Sequence, residues 1–275
     1  MKHLLKHECP NLKNAEYRKA LQFIDGRCSQ YYFLDYLKCC NNVTDAIKLY
    51  EFDDEIRCVL FQHLIRFEIQ IKSEFIACVK DSTKDASFWK HKRYFIEEAI
   101  VKNKKGSLSK YAILKKTIQR NIDKTKFNTI GPLNNVALYT SSFGTFETLY
   151  KLLKLEYKYS FIDKYTSCYS CHSYKTLCAY LEGIRRVRNR CAHGTHIITT
   201  KLVNDLNDIR SKLLPFSTNQ KYTSLESIIK YIIYYSKTGN EFKKELISLC
   251  SKYECILFKY SKRLSISSAF LKKIT

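Results

Sequence analysis

Four of the chain's twelve arginines fall within six residues, Arg185, Arg186, Arg188 and Arg190, and lead through Asn189 and Cys191 to His193 and Gly194. A guanidinium is a rigid fork of donors that grips a phosphodiester through paired hydrogen bonds. A histidine gives or takes a proton near neutral pH. In an unbroken helix Arg188 and His193 stand about 140° apart, five steps of about 100° each. They converge only where the helix stops, and glycine, here Gly194, is the residue type that stops one. A phosphate clamp beside a proton shuttle, with no acidic cluster at metal-ligand spacing, reads as metal-independent cleavage of RNA, where the 2′-hydroxyl is the nucleophile. That reaction needs a base for the 2′-hydroxyl and an acid for the leaving oxygen. One histidine supplies one of these at a time, so a homodimer that brings two such segments together completes the set.

The overall charge agrees with a polyanionic partner. The 275 residues carry 48 Lys+Arg against 26 Asp+Glu, a net +22, which favours nucleic acid over an acidic membrane surface. Of these cations 36 are lysines, spread along a chain also rich in Ile, Asn and Tyr. AT-rich coding produces the same bias, so the arginine cluster carries more information than the total. The densest basic tract is Lys102, Lys104, Lys105, Lys110, Lys115, Lys116, Arg120, Lys124 and Lys126, with Asp123 its only acid. Tyr111 and Phe127 interleave it, as stacking platforms for unpaired bases do. Arg185, Arg186 and Arg190 are expected to add phosphate contacts beside Arg188.

Neither a signal-peptide pattern nor a run of about 18 apolar residues is present, so a cytoplasmic chain without a membrane partner is expected. Its twelve cysteines are then reduced thiols, many of them small core residues. Cys168, Cys171 and His172 match a haem-attachment pattern, but that chemistry needs an oxidising compartment. With Cys178 they make a zinc set that lacks a second spaced pair. No metal or cofactor is therefore expected.

The elements that must position these groups read as helices. Gly at 7 and Pro at 3 are too few for the turns of a sandwich or barrel, and an all-α fold is predicted. Ile56, Leu60, Leu64, Phe67, Ile71 and Phe75 recur at helical spacing and predict a long helix over Phe52–Lys80, with Asp53, Asp54 and Glu55 in its first turn. Further helices are predicted over Ala86–Ile100, Leu133–Ser141, Thr145–Tyr157, Ser173–Cys191, Thr200–Leu214, Ser224–Ser236 and Asn240–Lys262. The β-branched run Ile197–Thr200 is the main competitor for a strand. Gly131-Pro132 is the best boundary, dividing residues 1–130 from 131–275 within what reads as one body. Arg57 and Glu68 share nearly one helical face but lie about 16 Å apart along the axis, too far to pair with each other. Either each takes a separate ion pair, or one of them buttresses the Arg188–His193 segment.

Three ordered blocks carry a resemblance. Leu49-Tyr-Glu-Phe-Asp-Asp-Glu-Ile-Arg57 with Leu64-Ile-Arg-Phe-Glu68 is similar to the early helix of the Abi_2 (AbiD/AbiF) abortive-infection family. Ser142-Phe-Gly-Thr145 with Leu149-Tyr150 resembles its middle block, and Tyr180 to His193 its signature block. Arg188-Asn189-Arg190-Cys191-Ala192-His193 also resembles the R-x4–6-H motif of HEPN ribonucleases. The resemblance spans roughly residues 30 to 200. It implies a HEPN-type helical bundle with additional N- and C-terminal helices, acting in anti-phage defence. It further implies Arg188 and His193 as catalytic residues, Asn189 as their positioning neighbour, and a structured non-coding RNA held in a ribonucleoprotein. Many relatives carry a second His or Asn and then Arg-Leu-aromatic-Asn after the motif histidine. This chain has Gly194-Thr-His-Ile197 there, which makes His196 the candidate substitute. The residues alone leave open a ribonuclease, a non-catalytic RNA-binding protein, and, more weakly, a DNA-binding regulator, for which no recognition-helix module is visible.

Overall fold

Asn42 opens a 41-residue helix, Val43–Thr83. Its side-chain oxygen accepts the amide of Asp45 at 2.8 Å, satisfying one of the otherwise unbonded N–H groups of the first turn. In the computed structural model, which describes residues 2–27, 30–100, 109–124, 138–167, 173–198 and 224–274, this helix is α4. Before it come α1 (Lys2–Glu8), α2 (Asn14–Arg27) and α3 (Gln30–Cys39). After it come α5 (Lys110–Lys124), α6 (Phe143–Leu152), α7 (Tyr159–Thr166) and α8 (Tyr174–Ala192). The last group is α9 (Leu225–Tyr235), α10 (Gly239–Lys252), α11 (Glu254–Tyr260) and α12 (Ser268–Ile274). Among the described residues every regular element is helical, as the composition predicts. Among the same residues one isolated bridge joins Phe95 to Leu153.

The axis of the fold is α4, roughly 60 Å long at 1.5 Å per residue. It packs against α2, α3, α7, α8, α9, α10 and α11. Surrounded on most sides, it buries Phe52, Ile56, Leu60, Leu64, Phe67, Ile71, Phe75 and Val79, each contributing about 1.5–3 kcal/mol by leaving water. Aromatic rings from later helices close on this stripe. Phe75 meets Phe146, Tyr150 and Phe161, and Phe67 meets Tyr165 and Tyr231. Tyr231 then stacks on Tyr180 of α8 at 4.2 Å.

Four predicted elements differ. The long helix starts at Val43, because Val43, Ala46 and Leu49 extend the buried stripe toward the N-terminus. Asp53, Asp54 and Glu55 are therefore mid-helix residues and not a first-turn acidic cap. Ala86–Ile100 is not an α-helix but three 3-10 turns, Phe88–Lys90, Lys92–Tyr94 and Glu97–Ala99. Backbone bonds from Ile96 to Leu152 and from Lys154 to Tyr94 pull it into an extended crossing. The predicted Thr145–Tyr157 helix ends at Leu152 and resumes as a 3-10 turn, Leu155–Tyr157. The Asn240–Lys262 helix breaks at Tyr253, whose hydroxyl is drawn to Glu55 of α4 at 2.7 Å. Of Leu133–Ser141 only residues 138–141 are described, while Thr200–Leu214 and the Gly131-Pro132 boundary lie outside the described residues. Ile197 and Ile198 form bends and no strand.

Candidate functional site

Helix α8 is amphipathic. Leu177, Leu181, Ile184 and Val187 are buried, and the arginines emerge between these positions. The helix ends through a Gly194 turn. Thr195 N–H donates to the Arg190 carbonyl at 2.9 Å and Gly194 N–H to the Cys191 carbonyl at 3.3 Å, while Gly194 takes a φ of 66°. These two bonds make a Schellman cap, in which a residue with a β-carbon is disfavoured at the left-handed position. An added β-carbon at Gly194 would also stand 3.3 Å from the Arg57 Nη1. His193 is the C-cap residue and is exposed. Cys191, between the arginines and the histidine, is held as a thiol, its pKa pushed up to about 12 by burial.

Arg188 is positioned from two sides. Its Nε lies 3.4 Å from a Glu68 carboxylate oxygen, an ion pair without hydrogen-bond geometry. Its Nη1 donates to Asn189 Oδ1 at 3.3 Å, and the guanidinium lies over the Phe61 ring at 5.9 Å. Glu68 is itself fixed by Lys72, whose Nζ donates to Glu68 at 3.0 Å and to the Ser141 carbonyl at 2.7 Å. No hydrogen bond joins Arg188 to His193. The helix end separates the clamp from the exposed imidazole by about 7.5 Å of helical rise.

The segment beyond His193 is pinned to α4 and α3. Asp53 is fully buried and accepts the amides of Ile197 and Ile198 at 3.1 and 3.0 Å. Arg57 pairs with it at 3.0 Å. Burial pushes the Asp53 carboxyl up, against the pull of Arg57, the Tyr36 hydroxyl and the two amides. His196 is buried, with Nδ1 2.6 Å from the Tyr36 hydroxyl and Nε2 3.2 Å from the Asp35 carboxylate. It faces inward, away from the exposed position of His193. Arg57 and Glu68 thus hold different parts of the same terminus, the turn and the clamp.

The remaining arginines of α8 are engaged. Arg185 Nε donates to Glu147 of α6 at 2.6 Å, and Arg186 Nη2 to Glu182 at 2.9 Å. Lys151 bridges Glu147 and Glu182 at 2.5 and 3.2 Å. Burial works to raise the Glu182 carboxyl, but Arg186 and Lys151 overcome it and hold it below its ordinary value. Arg190 Nη1 donates to the His196 carbonyl at 2.8 Å.

Helix α5 presents the opposite picture. Lys110, Lys115, Lys116, Arg120 and Lys124 are all exposed and make no ion pair among the described residues. Asp123 is occupied by Gln119 Nε2 at 3.0 Å. Tyr111 is buried against Phe95 and offers no stacking surface. Lys102, Lys104, Lys105, Lys126, Phe127, Cys168, Cys171 and His172 lie outside the described residues. Cys178 is a buried core thiol.

The model of the Abi-like protein family, Abi_2, matches residues 27–199, more than half of the chain. The chain belongs to the Abi_2 family. It is thereby a member of an abortive-infection protein family. No curated protein and no solved structure matches it. The Abi_2 segment contains α3 to α8 and the pinned turn after His193, and leaves out α1, α2 up to its last residue, and α9 to α12. Among the described residues no helix is long and apolar enough to cross a membrane.

Within this Abi_2 segment, sequence reasoning missed Asp53, Lys72, Glu147 and Glu182 as partners. The signal was available. Asp53 and Arg57, Glu68 and Lys72, Glu147 and Lys151, and Glu182 and Arg186 are all acid–base pairs four residues apart on helices. Tyr36 and Ser141 had no such signal, because they meet the site only through tertiary packing.

Proposed function

We propose that this Abi_2 protein acts in abortive infection by binding RNA, and that the end of α8 is a HEPN-type site that cleaves it. The observation that carries the reading is the α8 terminus. The helix stops at Ala192, leaving the imidazole of His193 exposed at the C-cap, about 7.5 Å of helical rise beyond an arginine oriented by Glu68 and Asn189. In this reading Arg188 holds a phosphodiester, and the 2′-oxygen attacks phosphorus as the bond to the 5′-oxygen breaks. His193 of one copy takes the 2′-proton and His193 of a second copy protonates the leaving oxygen, so the products are a 2′,3′-cyclic phosphate and a 5′-hydroxyl. The 2′-hydroxyl replaces an external nucleophile, so these residues complete the step without a metal. The test is to incubate the purified chain with RNA in EDTA and identify the end groups. Cyclic phosphate ends support the reading, and RNA that is bound but left intact overturns its catalytic part.

A second reading is a non-catalytic ribonucleoprotein with a dedicated structured RNA. It is favoured by the engaged state of Arg185, Arg186 and Arg190, combined with the exposed cations of α5, which make no ion pair among the described residues and would give affinity without chemistry. Sequencing the RNA that co-purifies decides for it if one discrete, uncut species is found. A chain that binds no RNA at about 0.15 M salt overturns both readings.

A further inference from the structure

Between α5 and α6 runs a shallow groove of about 340 Å³, bordered by Lys110, Ile113 and Thr117 on one side and Gly144, Thr145 and Thr148 on the other. Its size lies at the lower end of the roughly 300–1,000 Å³ typical of small-ligand sites. The floor is aliphatic, with Ile113 left 53% exposed, and the walls carry threonine hydroxyls. Their protons are engaged in their own helices, Thr117 donating to the Ile113 carbonyl at 2.9 Å and Thr148 to the Gly144 carbonyl at 2.8 Å, so that their oxygens face a ligand as acceptors. That combination suits a flat heterocycle with polar edges better than a lipid or a purely apolar side chain. On the exposed face of α5, outside the groove's lining, Lys116, Arg120 and Lys124 recur every four residues, so they form one stripe with members about 6 Å apart along the axis. Successive phosphates of an extended strand can follow such a stripe.

The groove is also connected to the α8 terminus. Asn121 of α5 donates to the Ser141 hydroxyl at 3.1 Å, and the Ser141 carbonyl accepts from Lys72 at 2.7 Å. Lys72 bonds Glu68, and Glu68 pairs with Arg188. On the far wall, a β-carbon at Gly144 would stand 3.7 Å from the Arg185 side chain. The wall of the groove at Gly144 therefore abuts the aliphatic part of Arg185.

From the unpaired stripe, the groove and this continuity, we infer that the α5–α6 groove receives an unstacked base of single-stranded RNA, with the adjoining phosphates on Lys116, Arg120 and Lys124. The inference rests on the RNA-binding reading above. A duplex keeps its bases stacked and cannot place one in the groove.

The experiment measures binding of a short fluorescent single-stranded RNA to the full chain across a salt series. The Lys116→Gln, Arg120→Gln, Lys124→Gln triple variant is expected to lower the slope of log affinity against log salt by about 2, at roughly 0.7 per lost phosphate contact. For the base, the same RNA with abasic residues is expected to bind wild type about tenfold more weakly. Thr117→Leu, which fills the groove and leaves every cation in place, removes most of that tenfold difference. Circular dichroism checks that both variants keep the wild-type helix content. An unchanged salt slope, or equal binding of abasic and normal RNA, overturns the inference while leaving RNA binding intact. Duplex RNA bound as tightly, with the same loss in Thr117→Leu, overturns it too. Absence of any RNA binding overturns this inference together with the functional reading beneath it.

Discussion

Helix α8 carries Arg185, Arg186 and Arg188 into carboxylates, whereas helix α5 carries its lysines and Arg120 to its exposed face. On α8, Arg185, Arg186 and Arg188 meet Glu147, Glu182 and Glu68, all with side chains no more than about a sixth exposed. On α5, five cations face solvent with no acidic partner among the described residues. Two arrangements of the same charge do different work. A guanidinium held by a buried carboxylate has a fixed direction, which a reacting phosphate needs. A free lysine has reach and little direction, which serves salt-dependent attraction to any strand. The terminus of α8 is therefore built for position and α5 for affinity.

The pinned half of this contrast breaks first at Asp53. Asp53→Ala leaves Arg57 and two buried amides without their partner, an expected loss of about 3–5 kcal/mol by denaturant unfolding. A loss below about 1 kcal/mol would mean that the turn after His193 is not anchored as described. Next comes Glu68→Ala, which strands Lys72 in the interior and releases Arg188. About 2–3 kcal/mol is expected in the same measurement.

Lys158 sharpens the contrast as a third kind of cation, buried and with no carboxylate partner among the described residues. Its Nζ donates to the Tyr150 carbonyl at 2.8 Å and lies over the rings of Tyr150 and Tyr174. Burial pulls its pKa from 10.5 down to about 8. The unfolded chain then binds more protons than the folded one between these two values, so the lysine's contribution to stability rises with pH across that window. The stability difference between wild type and Lys158→Met should shift in favour of wild type by about 2 kcal/mol from pH 8 to 10. Taking the difference cancels the opposite trend from buried cysteines and tyrosines. The smallest expected effect is the stability change of the α5 triple variant, within about 0.5 kcal/mol, because its cations are exposed and make no ion pair among the described residues.

The sequence made much of this visible, unevenly. Apolar spacing located α4 and α8, since helical periodicity survives in any amphipathic element, and Gly194 marked the stop after His193. What stayed hidden was tertiary. The Asp53 carboxylate looked like a helix-start acid because, read locally, an acidic run before an apolar stripe is one. Only the approach of Ile197 and Ile198 makes it an anchor. Residues 86–100 read as a helix because Phe88, Trp89, Tyr94 and Phe95 have helical spacing. Their partner, the chain at Leu152–Lys154, is distant in sequence. The basic tract was legible as charge, but whether its cations were free or paired depended on which acids folded beside them.

The most direct test of the proposed role of the α8 terminus is a single-turnover comparison of wild type and His193→Ala on one RNA in EDTA, with the affinity of each measured alongside. The account predicts that His193→Ala cuts at least about 100-fold more slowly while its affinity stays within about twofold, since the imidazole moves protons and Arg188 with α5 holds the strand. Cutting at the wild-type rate by His193→Ala would contradict it.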